Sequence, residues 1–226
     1  MNDSPQSADE EKAPLDPVEA RILACLMEKE QATPDNYPLT INGLVNACNQ
    51  KSNREPVMKL SPGEVGHVVR ILQERKLIVV DYGDRADKVR HRMNVAWFLN
   101  PKQQAILTVL MLRKPQTLNE IRSRTERLVD FDGVEEILVM IEEMMERAKP
   151  FIVCIPRGAG QREDRYTHIL CGPVDPALLE RTPIRATGAS SSSAEQGRIE
   201  MLEQRVDALE QQLTRLIELA EIDSAN

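Results

Sequence analysis

The side chains in this sequence best suited to chemistry are donors of the kind that grip phosphate. From Asn49 to Pro56 the run NQKSNREP packs amides, a hydroxyl and two cations together, so Lys51, Ser52, Asn53 and Arg54 can donate to backbone phosphates. Asn and Ser also cap helices and close loops, and that role is open to the same run. Further on, Gly63, His67, Arg70 and Glu74 fall opposite the apolar stripe Val65, Val68, Val69 and Leu72 of a predicted helix. Arg70 there can donate twice to guanine, His67 can read a base edge or a phosphate, and Gly63 permits close backbone approach. Arg85, Lys88, Arg90 and Arg92 follow on a predicted hairpin, the last two on one side of their strand because side chains alternate. His91 shares the other side with Val89 and Met93, where packing or pairing with an acid is expected. The chemistry this set supports is binding of duplex DNA.

Catalysis has no comparable set. His67, His91 and His168 are far apart in sequence, and no GxSxG, HExxH or P-loop pattern occurs. GAGQRED lies in a predicted hairpin turn, where a phosphate loop would need a following helix. Cys25, Cys48, Cys154 and Cys171 have neither CxxC spacing nor a histidine cluster, so they read as reduced thiols, mostly buried. A non-enzymatic protein with no catalytic residue, no metal and no cofactor is expected. The few aromatics form no stacking array of the kind single-strand binders use, and Trp97 with Phe98 reads as packing between domains.

The elements that position the basic residues are marked by helix-start signals. A capping side chain followed three residues later by Glu or Gln occurs at Asp16/Glu19, Ser61/Glu64, Asn100/Gln103, Thr117/Glu120 and Asp132/Glu135. These predict helices from Pro17 to about Glu30, Thr40 to about Asn49, and Pro62 to about Lys76, then strands Leu77–Tyr82 and Val89–Asn94. The order returns as helices Pro101–Arg113, Leu118 to about Arg127 and Gly133–Arg147, with strands FIVCI and RYTHIL. An internal duplication supports this order. Ile22, Leu23, Leu26 and Met27 recur as Ile106, Leu107, Leu110 and Met111; Thr40 and Leu44 recur as Thr117 and Ile121; Val65, Val69, Glu74 and Arg75 recur as Ile137, Ile141, Glu146 and Arg147. Three helices and a hairpin per copy is the order of a winged helix. The expected fold class is therefore mainly α with small β hairpins (α+β): tandem winged-helix domains followed by a C-terminal coiled-coil helix.

Domain limits follow from composition. Residues 1–15 read as a disordered tail, 16–99 and 100–172 as the two winged helices, 173–197 as a flexible linker and 198–222 as the coiled coil. In the last segment Ile199, Leu202, Val206, Leu209, Leu213 and Leu216 form a heptad seam with β-branched or leucine a positions and leucine d positions, a pattern of parallel two-stranded coils. Arg198 and Arg205 would then face Glu203 and Glu210 of a second copy, so a parallel homodimer is expected. A single amphipathic helix docked on its own domains is the alternative.

The net charge of −7 argues against nucleic acid until it is divided. The two terminal regions carry −8 together, the first winged helix is near neutral, and Lys51 to Arg92 holds ten basic and six acidic residues. The third helix of the second copy carries Glu135, Glu136, Glu142, Glu143 and Glu146, which phosphate would repel. The wing of that copy offers Arg157, Arg162 and Arg165, so the second copy reads as a module for a protein partner or for spacing that can add a backbone contact. No apolar run is long enough to span a membrane and the N-terminus is acidic, so a cytoplasmic location without membrane contact is expected.

The run YPLTINGLVNACNQKSNREPVM, Tyr37–Met58, with VEARILACLMEK before it, resembles the signature of the YceH family of uncharacterised bacterial proteins. The resemblance covers residues 16 to about 172. It implies tandem winged helices in a bacterial cytoplasmic protein, and no activity or functional residue. Two functions remain: a dimeric, transcriptional-regulator-like DNA-binding protein, or a protein-interaction scaffold that binds no DNA.

Overall fold

Four helices start where local capping chemistry requires. Asp16, Ser61, Asn100 and Thr117 each accept from the amide three residues on, and Glu19, Glu64, Gln103 and Glu120 reach back to the cap amide. The computed structural model describes residues 14–83, 86–158 and 160–174. In it α1 (Pro17–Ala32) leads through a 3-10 turn to β1 (Leu39–Thr40), α2 (Ile41–Cys48), α3 (Pro62–Glu74), β2 (Ile78–Asp81) and β3 (Lys88–His91). A short α4 (Met93–Ala96) joins this to α5 (Pro101–Leu112), α6 (Leu118–Thr125), α7 (Val134–Met145), β4 (Ile152–Ile155) and β5 (Arg165–His168). The architecture is α+β, with helices dominating over two small antiparallel sheets.

The expected order of elements is present twice, with three departures. The first sheet has three strands, β1-β3-β2, because Leu39 pairs with Val89 and Thr40 with Lys88. The second copy keeps a trace of this: Gln116 exchanges both backbone bonds with Tyr166, at 2.9 and 2.7 Å, just before the Thr117 cap. The strand predicted to reach Asn94 stops at His91, whose Nδ1 accepts the Met93 amide at 3.1 Å and turns the chain into α4. The fifth capping pair does not form. Gly133 occupies the cap of α7, and the Asp132 amide donates instead to Glu136 at 3.0 Å.

The two copies share one core. Ten consecutive residues are buried in α1, Glu19–Glu28, and ten in α5, Gln103–Leu112, so each helix is enclosed on all sides. These helices pack on each other, and the residues that recur between copies lie in their common core. Ile22, Leu23, Leu26, Ile106, Leu107 and Leu110 are all fully buried. Apolar stripes from the third helices, Val65/Val69 and Ile137/Ile141, close the core from either side. The recurring arginine after each third helix ties down different neighbours. Arg75 Nη1 bonds both Glu19 oxygens at 2.7 and 2.8 Å, whereas Arg147 donates to the carbonyls of Trp97 and Phe98 at 2.6 and 3.0 Å.

One partly buried group should make stability depend on pH. His168 ends β5 with Nδ1 enclosed and unpartnered, and burial pushes its pKa down to about 4 from the usual 6.5. The unfolded chain therefore binds this proton between those values and the folded chain does not. The His168 contribution is complete above about pH 6.5 and is lost as pH falls toward 4. Urea unfolding is expected to lose about 2 kcal/mol between about pH 7 and pH 5, a slope that His168→Asn should abolish.

Candidate nucleic-acid interface

The loop from Asn49 to Leu60 is fixed from within. Asn49 clamps its ends, its Nδ2 donating to the Leu60 carbonyl at 2.8 Å and its Oδ1 accepting the Leu60 amide at 2.7 Å. Arg21, buried in α1, bonds the carbonyls of Cys48 at 3.2 Å and Pro56 at 2.7 Å. Arg54, which the sequence placed among the phosphate contacts, is turned inward and leaves that set. Its side chain is fully buried, Nη2 lies 2.5 Å from Glu28 Oε2, and Nε donates to the Ala47 carbonyl at 3.0 Å. Burial opposes the charge on Glu28, but the hydrogen bonds and charge of Arg54 outweigh it and hold the carboxyl below its usual range. Two of the functions left open for NQKSNREP are therefore divided among its residues: Asn49 and Arg54 build the loop, and Lys51, Ser52 and Asn53 are exposed on it. Asn53 holds a left-handed backbone, φ 60°, which asparagine tolerates better than most residues.

α3 presents the face expected of it. Val65, Val68, Val69 and Leu72 are buried, and Gly63, His67 and Arg70 are exposed. Above Gly66 a Cβ would meet nothing within 4 Å, and above Gly63 only the Ser61 hydroxyl at 4.0 Å. The helix face is thus low and open around His67 and Arg70. β2 begins at the end of this helix, with the Leu77 amide bonded to the Leu72 carbonyl at 2.9 Å. Along β3, Lys88 and Arg90 point outward, followed by exposed Arg92, while Val89 and His91 are buried. Arg90 is partly neutralised across the hairpin by Asp81, Nε to Oδ2 at 3.0 Å. Lys88 and Arg92 have no carboxylate within ion-pair distance among the described residues. Arg85 lies outside the described residues, as do the six seam residues Ile199 to Leu216.

His91 pairs with an acid, as its place on the strand implied. Nε2 lies 2.8 Å from Glu30 Oε2, and that bond is the main reason the Glu30 carboxyl sits below its usual range. The second copy offers a different surface. On α7 and at its C-cap, Glu135, Glu142, Glu143 and Glu146 are exposed, Glu143 accepting from Gln103 at 2.8 Å, while Glu136 is paired with Lys102. Arg165 of its hairpin is bound to Glu120 at 3.0 Å. Trp97 packs on Phe151 with ring centroids 4.9 Å apart, but Phe98 is turned out and 83% exposed. All four cysteines are free, Cys25 and Cys48 being buried. Among the described residues no cluster of three His, Cys, Asp or Glu could hold a metal ion, and no helix is long and apolar enough to cross a membrane.

Sequence reasoning missed the internal half of this site. Arg21 and Glu28 are charges at the two ends of the apolar run Ile22–Met27, seven residues apart and so on one face. That placement is the signal that each needs a buried partner.

Comparison with known proteins supplies the family. A family model described as protein of unknown function, DUF480, matches residues 15–161. A UPF0502 protein of Stenotrophomonas maltophilia strain K279a is 44% identical over 96% of this chain and 99% of its own length. A UPF0502 protein of Cellvibrio japonicus is 44% identical over 90% and 94%, and one of Mesorhizobium japonicum 42% over 89% and 96%. The chain spans nearly the full length of these relatives, and the family model includes both copies of the duplicated unit except the last strand. By this measure the chain belongs to the DUF480 family, whose members here are the UPF0502 proteins of bacteria.

Proposed function

We propose that the protein is a non-enzymatic, dimeric DNA-binding protein of regulatory type, with residues 16–99 and 100–172 acting as tandem winged helices. The observation that carries this reading is the open face of α3, where His67 and Arg70 follow Gly63 and Gly66, together with the exposed hairpin cations Lys88 and Arg92. Helix, short strand, two helices and a hairpin in a three-stranded sheet is also the order in which winged helices present a recognition helix and a wing. In this reading α3 enters the major groove, the wing cations and Lys51, Ser52 and Asn53 touch phosphates, and the acidic α7 stays out of the groove. No cofactor takes part.

The heptad seam from Ile199 to Leu216 pairs two copies in parallel, so that two modest contacts act together. Binding of the full chain to duplex DNA, read by fluorescence anisotropy beside the mass in solution, tests both parts. Deleting residues 198–226 should give a monomer and weaken duplex binding at least about tenfold by loss of the second contact. An unchanged dimer mass would contradict the coiled coil, and no binding by the full chain would contradict the DNA reading.

The scaffold reading has its own support in exposed apolar side chains, Phe98 at 83% and Val139 on α7 at 50%, beside exposed acids. A partner that co-purifies after nuclease treatment, and is lost on Phe98→Ser, would favour it.

A further inference from the structure

A second cluster of cations lies where the Asn53–Val57 loop meets the connection from α5 to α6. There the Glu55 amide bonds the Leu112 carbonyl at 2.8 Å, and a cavity of about 560 Å³ opens between loop and connection, its charged and polar lining being Asn53, Arg54, Glu55, Arg113, Lys114 and Arg124. That volume is in the range of about 300–1,000 Å³ typical of small-ligand sites. Arg113 is the central residue. It is only partly exposed, its Nη2 donates to an uncharged acceptor, Asn53 Oδ1, at 2.8 Å, and it makes no ion pair among the described residues. Arg124 likewise spends its closest bond on the uncharged Gln116 Oε1, and Glu120, at 3.9 Å from it, lies closer to Arg165 at 3.0 Å. Lys114 sits at the rim with Glu55 at 2.7 Å, both well exposed.

Cations thus outnumber acids here: Arg54, Arg113, Lys114, Arg124 and Arg127 stand against Glu28, Glu55 and Glu120, each of which is already paired. The charges of Arg124, Arg54 and Arg127 act against that of Arg113, and Glu28, which favours it, is already engaged by Arg54 at 2.5 Å and Arg127 at 3.5 Å. Burial first, and then these neighbouring cations, push the Arg113 guanidinium down to about 10. A folded chain that holds cations together in this way offers an oxyanion what water offers less well: forked donors already in place. A carboxylate would bring one charge, whereas a phosphate group brings nearly two and enough oxygens for both guanidinium forks.

We propose that this cavity binds a phosphate group, with Arg113 and Arg124 as the clamp and Lys114 as the rim contact. The group is either a phosphate of bound nucleic acid or part of a free phosphorylated ligand. The proposal does not rest on the DNA reading above: binding of a small phosphate by a chain that binds no duplex would uphold the one and overturn the other.

The test uses the full-length protein titrated with sodium pyrophosphate at constant ionic strength, read by melting temperature and calorimetry, with chloride as the control. A saturable rise in melting temperature and one site per chain are expected. Arg113→Gln should weaken pyrophosphate binding at least about tenfold, the loss of one charge-assisted contact. It should leave the ligand-free melting temperature unchanged or higher, since it removes a partly buried charge that faces like charges. If Arg113→Gln does not fold, the more exposed Arg124→Gln gives the same reading. The proposal is overturned if pyrophosphate does no more than chloride, or if a folded variant binds it as well as the parent. Given binding, displacement of pyrophosphate by a duplex assigns the site to nucleic-acid phosphate. Retention of pyrophosphate in the presence of duplex assigns it to a free ligand.

Discussion

Arg54→Ala is expected to destabilise the protein by about 3–5 kcal/mol, the cost of stranding one member of a buried ion pair. Both partners are enclosed: the Arg54 side chain is fully buried and Glu28 is 4% exposed. Removing the guanidinium leaves the Glu28 carboxylate with only Arg127, at 3.5 Å and half in solvent, and Lys29 at 3.7 Å. It also leaves the Ala47 carbonyl without its donor. Against a typical total stability of about 5–15 kcal/mol, such a loss is large enough to leave part of the population unfolded. Arg54→Lys restores the charge but not the fork, so it should recover only part of the loss. The double change Glu28→Leu with Arg54→Met should be far milder than Arg54→Ala, because it removes both charges and keeps volume. Urea unfolding at neutral pH measures all three; a loss below about 1 kcal/mol for Arg54→Ala would mean that water reaches Glu28.

Lys88→Glu combined with Arg92→Glu is expected to weaken duplex binding at least about 100-fold on any sequence, since two attractive phosphate contacts become two repulsive ones. These residues are the better choice in the hairpin because Asp81 already neutralises Arg90. Stability should change little, both side chains being exposed. Arg70→Ala should behave differently. If Arg70 reads guanine, its removal costs about 1–3 kcal/mol on preferred sites and little elsewhere. Anisotropy on a selected and a scrambled duplex separates the two effects. Equal affinity for parent and charge-reversed protein would place any DNA contact elsewhere on the surface.

What could be read from the sequence is what depends on near neighbours or on repetition. The boxes at Asp16, Ser61, Asn100 and Thr117 span three residues, and all four formed as expected. The Asp132 box failed because an equally local alternative was present, Glu136 reaching the Asp132 amide first. The duplicated Ile-Leu-Leu positions marked the core, though not that α1 and α5 would be enclosed on every side by each other's repeat. The two-residue β1 is too short to show a period of two. Arg54 was misjudged because its partner, Glu28, lies on another helix, so nothing in NQKSNREP distinguishes it from Lys51. Trp97 and Phe98 are adjacent and alike in type, yet a left-handed backbone at Phe98, φ 51°, turns it outward while Trp97 stacks on Phe151.

The salt dependence of duplex binding by the full chain tests the central claim most directly. With four to six phosphates neutralised by the loop, α3 and hairpin cations, log affinity should fall against log salt with a slope of about −4 to −5. The Lys88/Arg92 charge-reversed protein should lose about two units of that slope. A flat dependence, or no binding at about 50 mM salt where phosphate contacts are strongest, would contradict the account.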